Sequence, residues 1–98
     1  MIITLEDMKD FLGESETSSD GVITDLIESA EEELATTTGL DLASGQMEKI
    51  IKKAIRIMVW LSFYAERDAS KNMEYLVRER TRLIQILKWS DKHEETSS

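Results

Sequence analysis

The sequence predicts an all-α protein: a small four-helix domain with a short N-terminal helix, two longer helices and a C-terminal helix, and no sheet. Three observations carry this. Apolar residues recur at spacings of three and four along most of the chain, and no segment alternates with a period of two. There is no proline to interrupt a helix. Each periodic stretch is also bounded by small polar capping residues or by glycine.

The first helix lies in ITLEDMKDFLG, Ile3 to Gly13. Thr4 is a good N-cap, and Asp7 three residues on completes a short capping box. Ile3 and Met8 are placed to form a hydrophobic staple across that cap. Leu5, Met8 and Leu12 share one face with Phe11 beside them, and Gly13 supplies a left-handed stop. An isolated helix this short is marginal in water, so it needs a larger body to pack on.

GESETSSD, residues 13–20, is a polar loop, with Ser19 or Asp20 as the cap of the second helix. Val22, Ile23, Leu26, Ile27, Ala30 and Leu34 mark the buried stripe of that helix. Asp25, Glu28 and Glu32, at i, i+3 and i+7, form an acidic stripe. Three threonines weaken its end and Gly39 stops it. GLDLASG connects to a third helix, about residues 46–67, with Ser44 as its expected cap. Met47, Ile50, Ile51, Ala54, Ile55, Met58, Leu61 and Ala65 give its period. From Ile55 to Tyr64 it is apolar nearly all round, which suits a helix that is central or shared with a neighbouring subunit. Ser70 or Asn72 can cap the fourth helix, which is expected to end near Trp89. Its apolar side is Met73, Leu76, Val77, Leu83, Ile84 and Leu87, interleaved with Arg78, Arg80 and Arg82. Residues 1–90 are read as one domain, and 91–98 as a polar tail expected to be disordered.

Composition bounds the function. The net charge of −8 is unevenly placed. Residues 1–46 carry twelve acids against one base, and residues 47–98 carry eight acids against eleven bases. Such a split can draw the two halves of one chain together, or the acidic half of one copy onto the basic half of the next. An overall negative charge argues against tight general DNA binding. No apolar run reaches the roughly 20 residues that span a bilayer, and the opening MIITLEDMK lacks the pattern of a signal peptide. The absence of cysteine excludes disulfides and thiolate metal sites.

Candidate chemistry is sparse. The one histidine, His93, lies in the polar tail without an orienting partner. Glu31, Glu32 and Glu33 are consecutive on a helix and point in different directions, as a solvated face does. No catalytic, cofactor or metal constellation can be assembled. Two sets remain as a candidate subunit interface. Lys49, Lys52, Lys53 and Arg56 fall on one face of the third helix. That is either a solvated face opposite the core or a contact for an acidic surface such as Asp25, Glu28 and Glu32 of another copy. Trp60 and Tyr64, one turn apart, are either core or exposed interface anchors.

The order of these motifs resembles the small head–tail connector (adaptor) family of tailed bacteriophages. The likeness rests on the short capped opening helix, then SDGVITDLIESAEEELATTTG with Asp20, Ile23, Leu26, Ile27, Ala30, Leu34, Thr38 and Gly39 in the family's positions. It continues through AIRIMVWLSFYAERD, with Phe63, Tyr64, Glu66 and Arg67, and LVRERTRLIQILKW, covering roughly residues 2–89. The resemblance implies a structural protein with no active site and no cofactor. It implies a homo-oligomeric ring at the head–tail junction of the virion, made in the bacterial cytoplasm. Its partners would be further copies of itself, the portal protein and a tail-side connector or tail-completion protein. DNA would pass through the ring, without sequence-specific binding. The rival reading is a monomeric or dimeric adaptor or regulatory domain that binds a single protein partner.

Overall fold

The structure is a computed structural model, and it describes residues 2–15, 17–45, 47–65 and 74–97. Among the described residues there are four α-helices and no strand: α1 (Leu5–Leu12), α2 (Asp20–Thr38), α3 (Glu48–Ala65) and α4 (Glu74–Ser97), with short 3-10 turns at Thr17–Ser19 and Leu42–Ser44. The all-α expectation holds.

α1 is closed at both ends as its sequence dictates. Thr4 Oγ1 accepts the Asp7 N–H at 3.1 Å, and Ile3 and Met8 of the staple are both buried. Gly13 takes φ 73°, which lets its N–H reach the Asp10 carbonyl and the Glu14 N–H reach the Lys9 carbonyl, two bonds that satisfy terminal acceptors. α2 ends differently. Gly39, also left-handed, donates one bond to the Ala35 carbonyl. The buried Thr38 hydroxyl donates to the Leu34 carbonyl at 2.7 Å and accepts the Leu40 N–H at 3.3 Å. The last threonine thus gives the first N–H beyond Gly39 an acceptor and ties it to the last turn of the helix.

Three expected caps differ. Ser19 occupies the cap position of α2 but its side chain makes no capping bond. Asp20 sits inside the helix and its carboxylate instead meets Lys9 Nζ of α1 at 2.8 Å. Ser44 ends a 3-10 turn, and α3 begins only at Glu48, after Met47 in the left-handed region at φ 54°. The expected caps of α4, Ser70 and Asn72, lie outside the described residues, as does the end expected for α3 at residue 67. α4 runs on to Ser97, past the end expected at Trp89. The sequence beyond Trp89 is rich in charged residues and contains no glycine or proline to break a helix.

α3 is the central element. Ile51, Ala54, Ile55, Ile57, Met58, Val59, Leu61 and Phe63 are all buried, so apolar contact surrounds most of its circumference. α2 contributes Ile23, Ile27, Ala30 and Leu34, and α4 contributes Leu83 and Leu87. Ile3, Met8 and Leu12 complete the core from the N-terminal side. Two residues placed in buried stripes by periodicity are on the surface: Val22 is 53% exposed and Val77 is 40% exposed. In each case the adjacent residue, Ile23 or Leu76, faces the core instead.

Candidate subunit interface

The core leaves a stripe of α3 partly uncovered. Lys49, Lys53, Arg56 and Trp60 succeed one another at i, i+4, i+7 and i+11, a spacing that keeps all four on one line of the helix surface. Lys49 and Lys53 are exposed, and Arg56 and Trp60 are half-buried. Lys49, Lys53 and Arg56 of this stripe form part of the lining of a groove of about 450 Å³, completed by Ile57, by Phe11 of α1 and by Tyr75, Leu76 and Glu79 of α4. Phe11 and Tyr75 are 43% and 68% exposed, so the groove carries apolar surface beside its cations.

The four expected basic residues do not behave alike. Lys52 turns aside to Glu48, one turn earlier, at 2.9 Å. That contact holds the Glu48 carboxyl below its usual range, chiefly through the Lys52 hydrogen bond. Lys53 reaches Glu79 of α4 at 3.3 Å. Among the described residues, Lys49 and Arg56 have no carboxylate partner within the chain.

Glu79 joins the two sides of the groove. Its carboxylate takes Arg82 Nε at 3.1 Å, is also bonded by Arg82 Nη2, and accepts Lys53. The Arg82 bond is the main reason its pKa falls from 4.5 to about 2. The folded pKa is depressed, so this contribution to stability is complete above pH 4.5 and is lost as pH falls towards 2. Glu79→Gln is expected to flatten the pH dependence of the unfolding midpoint across that window. Denaturant melts of both proteins at a series of pH values check this.

The aromatic pair is only partly available. Trp60 and Tyr64 are half-buried and packed against the core, with ring centroids 4.7 Å apart. The Tyr64 hydroxyl donates to the Leu12 carbonyl at 2.5 Å, tying α3 to the C-terminal end of α1. Of the two readings of Tyr64, the fold role is thus occupied. Tyr64→Phe removes one hydrogen bond and little volume. It is expected to cost about 0.5–1.5 kcal/mol in chemical denaturation.

The acidic residues lie on α2, on the side away from its core residues. Asp25, Glu28 and Glu32 are exposed, and among the described residues none of them has a cationic partner within the chain. Glu31, on another side of the helix, is occupied instead: it accepts the Ile2 N–H at 2.6 Å. The structure therefore does not bring the acidic and basic sets together within one chain. Sequence reasoning missed Phe11, Tyr75 and Glu79 as neighbours of the basic stripe. The Tyr75–Glu79 spacing of one turn was legible, but the placement of α4 against α3 was not.

No group of three or more His, Cys, Asp or Glu suited to a metal ion occurs among the described residues. No described helix is long and apolar enough to cross a membrane. A central apolar helix, wrapped by amphipathic neighbours and edged by charge, defines a small all-α helical module. The model of the Phage gp6-like head-tail connector protein family matches residues 2–84. The chain belongs to that family, and its role is that of a structural connector of tailed phages. Neither the curated proteins nor the solved structures give a significant match to the chain.

Proposed function

We propose that the protein is the repeating subunit of a homo-oligomeric ring at the head–tail junction. In this reading the ring joins the portal protein to a tail-side connector or tail-completion protein, and packaged DNA passes through its centre. The observation that carries this beyond the family is a pair of opposite charge sets on different helices, Asp25, Glu28 and Glu32 of α2 and Lys49 and Arg56 of α3, which have no ion-pair partner within the chain among the described residues. Each subunit offers two different surfaces, and heterologous contacts of that kind close into a ring when the rotation permits. A net charge of −8 also suits a duct, since a predominantly acidic ring does not hold DNA fast. The virion is then the protein's working location.

Native mass spectrometry across a concentration series tests the reading. A closed set of many identical copies is the expected result, with capture by purified portal protein as the second readout. A chain that stays monomeric at every concentration and does not bind portal would instead leave the single-partner adaptor. Charge reversal at Lys52 and Lys53 is a poor probe of this interface, because both already serve ion pairs within the chain.

A further inference from the structure

The self-assembly proposed above leaves open which faces meet and in what register. We infer that α2 of one copy lies antiparallel along the open stripe of α3 of the next, with Glu28 facing Lys53. This rests on the assembly reading and adds its contact map.

The register comes from the spacing. The acidic set reads i, i+3, i+7 and the basic set Lys49, Lys53, Arg56 reads i, i+4, i+7. The two are mirror images. Run antiparallel, Glu32 stands opposite Lys49, Glu28 opposite Lys53 and Asp25 opposite Arg56, over about 10.5 Å of helix. Run parallel, the spacing places Glu28 opposite Lys52, which already pairs with Glu48, and Trp60 opposite Thr36; the antiparallel register is the one that brings Trp60 to Gly21. Among the described residues, five of the six have no ionic partner within the chain, and Lys53 has donors beyond the one it gives Glu79.

The next step in each helix supplies an independent observation. Continuing the antiparallel register by one turn brings Trp60 opposite Gly21. Trp60 is the bulkiest residue of the stripe, and Gly21 is the one position of α2 with no side chain. Beyond its own helical turn, nothing among the described residues lies within 4 Å of where a Cβ would be. Glycine is a weaker helix former than alanine, and no contact among the described residues requires it there. A neighbour's indole, needing close approach to the α2 backbone, does. Phe11 and Tyr75 line the groove beside Lys49, Lys53 and Arg56 and offer apolar surface to the incoming helix.

The chain contains no cysteine, which makes the register directly testable by disulfide trapping. Full-length Glu28→Cys and Lys53→Cys proteins are mixed and oxidised, with Asp25→Cys plus Lys49→Cys as the out-of-register control. The expected product is a 28–53 heterodimer that dominates both homodimers and the control. In parallel, Gly21→Leu should retain wild-type helix content and unfolding midpoint, yet assemble at least tenfold more weakly. If the wild type assembles but the 28–53 bridge does not form, or Gly21→Leu assembles as well as the wild type, the register is wrong and the self-assembly reading stands. A wild type that remains monomeric at every concentration and does not bind portal overturns both; one that assembles only on portal is cross-linked on portal, with the same two outcomes for the 28–53 bridge.

Discussion

Ile55→Ala is expected to destabilise the protein by about 2–5 kcal/mol, the range for deleting a fully buried aliphatic side chain. Ile55 has no exposed surface. It also lies midway along α3, the helix around which the rest of the core is arranged. The cavity cannot collapse easily, because the surrounding turns of α3 carry buried residues on several sides. A small domain has a total stability of only about 5–15 kcal/mol, so the loss consumes a large part of it. Urea melts with an unchanged m-value and a lowered midpoint are the expected signature. Ile55→Val keeps most of the volume and should cost about 0.5–1.5 kcal/mol.

Met8→Ala removes an equally buried side chain, with an intrinsic cost in the same range of about 2–5 kcal/mol. The outcome should differ in kind. Met8 belongs to an eight-residue helix that is too short to persist alone. It is held by its buried residues Met8 and Leu12, by the Lys9–Asp20 ion pair and by the Tyr64 hydroxyl. Once α1 undocks, further damage to it costs nothing more. The global loss is therefore capped at the docking free energy of α1. Native-state hydrogen exchange separates the two cases. In Met8→Ala the amides of α1 should lose protection well before those of α2 and α3. In Ile55→Ala protection should fall throughout the core. Uniform loss in Met8→Ala would mean that α1 is an integral part of the folding unit.

The elements were legible where local chemistry fixes them. Thr4, Gly13 and Gly39 each act as their residue types predict, because a cap or a left-handed stop needs only nearby backbone groups. The apolar run of α3 announced its central place. What was not legible depended on which element covers which face. Val22 and Val77 were read into the buried stripes, yet the core takes Ile23 and Leu76 beside them and leaves the valines largely on the surface. Asp20 looked like a cap because capping is a local role, and the cation that claims it comes from another helix. Lys52 and Lys53 looked equivalent to Lys49 and Arg56 on the helix surface. Glu48 beside one and Glu79 beside the other divide the set, and only the packing of α4 on α3 places Glu79 there. Tyr64 was readable as an aromatic anchor, but its hydroxyl partner lies fifty-two positions away in sequence.

The single open line along α3 also bears on how this sequence is free to drift. Around most of that helix a substitution must satisfy a packed interior, so change there is filtered by folding alone. Along positions 49, 53 and 56 it is filtered by whatever the subunit meets. In a saturation-mutagenesis library sorted for folded protein, tolerance in α3 should be high at those positions and low at the buried positions 51, 54, 55, 57, 58 and 59. Sorting the same library for virion assembly would then separate the two pressures. Positions that are permissive in the first sort and restrictive in the second would mark the partner's footprint on the helix.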